Sequence, residues 1–187
     1  MPAATSPPEH LRQEVQSVLI SEAEIARRVR ELATEIERDY TDKELLMVAL
    51  LTGTVPFLAD LMRHVTLPLR LDFMGVSSYG DDTAPGELVF TKELRLEARD
   101  RDVLLVDDIL DTGQTLHAVL GKLTDLQPRS LKTCVLLEKT SRRRESVTAD
   151  YVGFEVPDEF VVGYGLDYAE RYRNLPVIGV LKPVVYA

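Results

Sequence analysis

Three carboxylates fall within five residues in the run Val103-Leu-Leu-Val-Asp-Asp-Ile-Leu-Asp-Thr-Gly-Gln-Thr-Leu116. Val103 to Val106 is a continuous apolar run with no polar alternation, the pattern of a buried parallel strand. The carboxyl end of such a strand is where open α/β sheets place their ligands. Asp111-Thr112-Gly113-Gln114-Thr115 then joins a tight turn to a helix start, which gathers free backbone N–H groups around a phosphate with help from the helix dipole. Asp107 and Asp108, one step earlier, are placed to face Mg2+ or the hydroxyls of a ribose, so the local chemistry suits a phosphorylated sugar. Paired acids after an apolar strand also occur in response-regulator pockets, in Walker B segments and as helix caps. No G-x-x-x-x-G-K-[ST] run is present, and Gly121-Lys122 lies inside a helical pattern, which removes the P-loop reading.

The elements that must position these groups are legible on either side. Met1 to about Glu14 is polar and Pro-rich, and residues 1–18 are expected to form a loose tail, with the folded unit running over 19–187. Ser21-Glu-Ala-Glu24 is a capping box, followed at helical spacing by Ile25, Val29, Leu32, Ala33, Ile36 and Tyr40. Leu45 to Leu51 reads as a buried strand. Gly53 opens a turn into a helix with Pro56 in its first turn and Val55, Leu58, Leu61, Met62 and Val65 on one face. Leu69 to Val76 is a further strand, Ser77 to Gly86 a polar segment, and Glu87 to Glu93 an alternating run that returns as a hairpin arm. Beyond the acidic run, Leu116, Val119, Leu120, Leu123 and Leu126 form the inner face of a helix, and Leu131 to Leu137 is the next strand. Strand and helix alternate, which implies an α/β fold with a mainly parallel sheet and helices on both faces.

A chain of 187 residues suits one domain with a substantial core. Its 31 acidic residues against 22 basic ones argue against a nucleic-acid partner. An acidic chain that takes a polyphosphate needs metal ions and a few local cations instead. Cys134, the single cysteine, lies in an apolar run and reads as a core residue. No apolar stretch approaches a membrane span and the N-terminus lacks a signal-peptide core, so a cytoplasmic location with no membrane partner is expected. His10, His64 and His117 have no metal-ligand spacing.

The run from Val103 to Leu116 resembles the phosphoribosyl-pyrophosphate signature of type I phosphoribosyltransferases. Leu71-Asp-Phe-Met-Gly-Val-Ser-Ser-Tyr-Gly80, the segment from Asp150 to Tyr168, and Arg173-Asn-Leu-Pro-Val-Ile-Gly-Val-Leu-Lys-Pro183 are similar to the bacterial hypoxanthine-guanine phosphoribosyltransferases. The likeness runs from about Leu19 to the C-terminus through several independent motifs in order. It implies a central sheet with a small hood made by the N-terminal helix and residues of about 150–187. It also implies transfer of a phosphoribosyl group from 5-phosphoribosyl 1-pyrophosphate to hypoxanthine or guanine, giving IMP or GMP, with Mg2+ and a homodimeric or homotetrameric assembly.

By the same resemblance, Asp111 acts on N7 of the purine as a general base, a role its type allows; read alone, it can equally cap the helix after it. Asp107 and Asp108 match the pair holding the ribose hydroxyls and Mg2+, and Asp167 matches a further metal-ligand position near the base. Thr112, Gly113, Gln114 and Thr115 complete the phosphate turn. Lys139 matches the lysine that donates to the 6-oxo group, although a lysine after a strand is usually a solvated charge. Phe160 and Val161 match the pair that stacks on the base and reads its edge through main-chain groups; in isolation they are two core residues. Arg173 matches the arginine on pyrophosphate, as a bidentate donor should. Ser77, Ser78, Tyr79 and Gly80 resemble a mobile lid that excludes water from a cationic transition state, with a tolerant hairpin tip as the alternative.

One departure stands out. In Leu51-Thr-Gly-Thr54 the family commonly has lysine where this chain has Thr52, in a loop that touches pyrophosphate, often through a non-proline cis peptide. Thr52 and Gly53 keep backbone N–H groups for phosphate, while the lysine charge and its contact with a neighbouring subunit are lost. Two other functions fit the same resemblance: acceptance of xanthine, and a non-catalytic ligand-sensing regulator on the same fold.

Overall fold

The computed structural model describes residues 9–79 and 87–186. A short 3-10 turn, Glu9–Leu11, leads into β1 (Val15–Ile20) and α1 (Glu22–Tyr40), then β2 (Leu45–Leu51), α2 (Val55–His64), β3 (Leu69–Tyr79) and β4 (Glu87–Lys92). β5 (Asp102–Leu110), α3 (Gln114–Asp125), β6 (Ser130–Glu138) and β7 (Tyr151–Glu155) follow, and β8 (Val161–Val162), β9 (Ile178–Leu181) and the turn α4 (Pro183–Tyr186) end the described chain. The larger sheet has the order β4-β3-β2-β5-β6-β7, parallel throughout except for the β3–β4 hairpin.

The apolar runs of β2 and β5 are explained by two cores. Leu45, Met47 and Ala49 of β2 and Leu104 and Val106 of β5 pack with α1 and α2, whereas Leu46, Val48, Leu50, Val103 and Leu105 pack with α3. Both faces of each strand are covered, so no polar alternation survives. Cys134 is buried in the α1–α2 core, as its apolar context implied. The capping box forms as read: the Ser21 N–H donates to Glu24 Oε2 at 2.9 Å while the Glu24 N–H donates to Ser21 Oγ at 3.4 Å. All six apolar positions expected on the inner face of α1 are buried. Arg28 fastens that helix to the sheet edge by donating to the carbonyls of Val152 and Gly153.

Several expectations are corrected. Residues from Glu9 onward are not a loose tail: β1 pairs antiparallel with β9, so a boundary at residue 18 would cut a strand; residues 1–8 lie outside the described residues. β1, β9 and β8 form a second, three-stranded sheet. The N-terminal contribution to this hood includes a strand, and the apolar face of α1 shares one core with large-sheet residues and with Ile20, Val161 and Ile178 of the hood. In α2, Val55 is 42% exposed and Phe57 is fully buried in its place, because Phe57 and Leu61 share a face at i, i+4. Leu126, the C-cap of α3, is also exposed rather than packed. Ser77, Ser78 and Tyr79 are not loop: they extend β3 and pair with Val89, Leu88 and Glu87, and Gly80 lies outside the described residues.

The hairpin is fixed from below by Asp72, which accepts from the N–H groups of Phe73, Arg95 and Leu96 and from Lys92 Nζ. Among the described residues no helix is long and apolar enough to cross a membrane.

Candidate active site

The site is built on the carboxyl ends of adjacent strands. β5 runs past the expected Val106 to Leu110, so Asp107 and Asp108 sit within the ladder, and rigid pairing with β6 sets their positions. Asp111, Thr112 and Gly113 make the turn into α3. Gly113, the N-cap, has φ 87°, and a Cβ there would meet Glu145 Cβ at 3.2 Å and Arg143 Cδ at 3.3 Å. The N-cap, Gly113, has no side chain and among the described residues no side-chain cap bond is made, so Asp111 does not cap α3 and the helix start offers the backbone donors an anion site uses. The turn is braced from behind by the segment after β6, where the Arg144 and Glu145 N–H groups both donate to the Thr112 carbonyl. Thr112 Oγ1 receives the Gln114 N–H at 3.5 Å, and Thr115 lies in the same first turn.

Among the described residues, Asp111 Oδ1 is buried with no hydrogen-bond partner. Its Oδ2 faces two cations, Lys139 Nζ at 3.9 Å and Arg142 Nη1 at 3.6 Å. Lys139 is 4% exposed, and its N–H continues the β5–β6 ladder by donating to the Leu110 carbonyl. A lysine after a strand that is buried beside a carboxylate is not a solvated surface charge. A buried acceptor without a donor marks a place where a ligand donor is expected.

Asp107 is almost fully buried and accepts from Thr54 Oγ1 at 3.2 Å and from the Asp108 N–H at 2.9 Å. Burial, then the neighbouring Asp108 charge, pushes its carboxyl well above the ordinary carboxylate range. Burial also raises Asp108, against the pull of hydrogen bonds and of the Arg173 guanidinium. Two adjacent acids that resist ionising together make a place for a cation.

The Leu51–Thr52 peptide is cis, as the loop of the resembled family led us to expect. Gly53 has no room for a side chain: a Cβ would lie 1.8 Å from Asp108 Oδ2. Its carbonyl abuts Gly165, locking the Thr52–Gly53 loop to the segment that carries Arg173. Arg173 donates to the Gly165 carbonyl at 2.9 Å and pairs with Asp167 and Glu170, both at 3.0 Å. The other oxygen of Asp167 accepts the Glu170 N–H. Asp167 is thus committed to Arg173 and is not gathered with Asp107 and Asp108; among the described residues no three His, Cys, Asp or Glu side chains form a metal cage.

In the hood, Phe160 is half-buried and so retains the accessible surface that stacking needs, with Tyr168 edge-on at 5.6 Å and Tyr186 stacked at 4.7 Å. Val161 is buried and paired with Val180. Sequence reasoning missed Thr54 and Arg142. Thr54 stands in a loop whose threonines look alike, and Arg142 belongs to the run Ser141-Arg-Arg-Arg-Glu-Ser146, which reads as exposed loop. Only the fold turns one toward Asp107 and the other toward Asp111 and Asp158.

A mainly parallel sheet with its acids and the Asp111–Thr115 turn at the carboxyl edge, beside a small antiparallel hood, is the architecture of a phosphoribosyl transferase. The family model described as the phosphoribosyl transferase domain matches residues 17–169. The chain is 49% identical over 177 residues to the hypoxanthine-guanine phosphoribosyltransferase of Bacillus subtilis, covering 94% of this chain and 98% of that one. It is 44% identical over 178 residues to the Streptococcus mutans protein of the same name, covering 95% and 99%. A crystal structure of a Staphylococcus aureus hypoxanthine phosphoribosyltransferase superposes with a TM-score of 0.91 at 42% identity, covering 96% of this chain and 98% of that one. The chain belongs to the phosphoribosyl transferase domain family and, within it, to the hypoxanthine-guanine phosphoribosyltransferases.

Proposed function

We propose that the protein transfers the phosphoribosyl group of 5-phosphoribosyl 1-pyrophosphate to N9 of hypoxanthine or guanine, releasing pyrophosphate and giving IMP or GMP. The observation that carries this reading is the Asp111–Lys139 pair, a partnerless carboxylate oxygen and a buried ammonium at the mouth of the phosphate turn. Asp111 accepts the N7 proton as the C–N bond forms, and Lys139 donates to a 6-oxo group. That donor disfavours adenine, whose 6-amino group is itself a donor. The N–H groups of Thr112 to Thr115 hold the sugar phosphate, while Thr52, Gly53 and Arg173 hold pyrophosphate. Phe160 and Val161 receive the base.

Asp107 and Asp108 would hold Mg2+. Their donor set of hard carboxylate oxygens, one buried and one half-buried, with both carboxyls raised chiefly by burial, fits a cation that binds through one or two carboxylates plus waters and substrate oxygens. Asp167, already paired with Arg173, orients that arginine and contributes to the metal only through it. Bound Mg2+ supplies charge neutralisation of the leaving pyrophosphate. On the family resemblance we further propose a cytoplasmic homodimer or homotetramer, a state that sedimentation measures directly.

The testing experiment is turnover of hypoxanthine, guanine, xanthine and adenine with 5-phosphoribosyl 1-pyrophosphate, with Mg2+ and with chelator. Mg2+-dependent nucleotide formation from hypoxanthine or guanine is expected, with xanthine ranked in the same assay. No turnover of any base would overturn the reading and leave the regulator on this fold.

A further inference from the structure

Phe160 stands at the end of an irregular stretch after β7 and is only half-buried, yet its ring is not left to choose its own plane. Tyr186 of the last turn stacks on it with centroids 4.7 Å apart and planes 24° from parallel. Tyr168 meets it edge-on at 88°. The turn that delivers Tyr186 is tied down at several points: the Leu181 N–H donates to the Phe160 carbonyl, the Lys182 N–H to the Glu14 carbonyl, and the Val185 N–H to the Lys182 carbonyl. Lys182 Nζ donates to the Arg12 carbonyl at 2.7 Å. Glu14 in turn binds Arg171 and the Tyr172 hydroxyl, so both chain ends and the segment around Arg173 form one packed unit.

We propose that Tyr186 is a positioning residue for the purine: it backs the Phe160 ring so that the base stacks on the opposite face, making a three-layer stack of base, Phe160 and Tyr186. This rests on the function proposed above. An aromatic ring that must swing into place on binding spends part of its contact energy on being ordered, and a ring already stacked on its rear face does not. The effect is expected chiefly on the base, because the ring contacts of Tyr186 are with Phe160 and Tyr168, whereas the Thr52–Gly53 loop packs against Asp108 and Gly165.

The test is steady-state kinetics of the full-length protein with base and 5-phosphoribosyl 1-pyrophosphate varied separately. Tyr186→Ala is expected to raise KM for hypoxanthine or guanine roughly two- to tenfold, the range of an aromatic pair, with KM for 5-phosphoribosyl 1-pyrophosphate unchanged. Tyr186→Phe, which keeps the ring, restores the base KM. Val184→Ala, at an 80% exposed position of the same turn, leaves both constants unchanged. An unchanged base KM in Tyr186→Ala, or equal rises in both constants, would overturn the inference. A lower base KM would overturn it too, by placing Tyr186 on the face that the base needs. Turnover by the unaltered protein decides the function separately; its absence would sink both.

Discussion

Lys139 Nζ lies 3.9 Å from Asp111 Oδ2, across neighbouring strands that the β5–β6 ladder holds in register. The two charges reach the site from the ends of adjacent strands, β5 and β6, whose register sets the backbone positions of both. Among the described residues the second Asp111 oxygen has no hydrogen-bond partner, which under the proposed function leaves one acceptor for a substrate proton. Asp111→Asn keeps the shape and removes the basicity. It is expected to lower kcat by about 10²–10⁴ while leaving KM for 5-phosphoribosyl 1-pyrophosphate within a few-fold. Retention of kcat within threefold would remove Asp111 from the proton transfer.

Replacing the cation should show up in base choice. Lys139→Met keeps the length of the side chain and deletes its donor, and a hydrogen bond to a charged group is worth about 1.5–3 kcal/mol. The variant is expected to lose about 10- to 100-fold in kcat/KM for hypoxanthine, with adenine scarcely affected. Side-by-side kinetics with the two bases measure the change. Equal losses for both would mean that Lys139 only neutralises Asp111.

Gly53→Ala tests the pyrophosphate loop. Its Cβ would enter the Asp108 carboxylate at 1.8 Å, so either the loop or the acid must move. Under the proposed function the loop binds pyrophosphate and the acid its metal, and KM for 5-phosphoribosyl 1-pyrophosphate should rise about tenfold or more, roughly 1.4 kcal/mol. Base KM, assigned to Phe160, Val161 and Lys139 in the proposed function, should change little. Thr52→Lys, adjacent in the loop, adds a charge without a clash and is expected to lower the same KM.

Asp72 governs the β3–β4 hairpin and supplies a pH signature. Burial alone would raise its carboxyl, but the N–H groups of Leu96, Phe73 and Arg95 with Lys92 outweigh that and hold it at about 2, below its ordinary 3.8. A depressed carboxyl contributes stability that is complete above its unfolded value and is lost as pH falls through the folded one. Asp72→Asn should therefore cost about 2 kcal/mol at neutral pH, with the gap to the unaltered protein closing between about pH 4 and pH 2. Denaturant unfolding across that range measures it, and a constant gap would assign the effect to packing.

Much of this architecture was legible residue by residue. The capping box at Ser21, the helical spacing of Ile25 to Tyr40 and the unbroken apolar runs of β2 and β5 are local patterns, and local patterns survive in a sequence read alone. The turn Asp111 to Thr115 was readable for the same reason, since a glycine at positive φ and a helix start are encoded by neighbours. Less legible were the element ends. β3 runs on through Ser77 to Tyr79 because β4 offers a partner ladder, and polar residues carry no sign of a partner that lies across a hairpin. The N-terminal boundary failed likewise: Val15–Ile20 becomes a strand through pairing with residues more than 150 positions away.

What the sequence by itself determined is the inventory and its spacing: an acidic pair, a phosphate turn, a lysine after the next strand and an arginine near the end. The acids and the turn are contiguous and readable from type and spacing, whereas the lysine and the arginine lie tens of residues on and took their roles from the family resemblance. Only the tertiary structure decided which of them meet. Lys139 rather than solvent faces Asp111, Asp167 is taken by Arg173, Thr54 reaches Asp107, and Tyr186 closes on Phe160. Each of these contacts joins elements distant in sequence, and side-chain partners across such distances are set by sheet register and layer packing, which no single segment encodes.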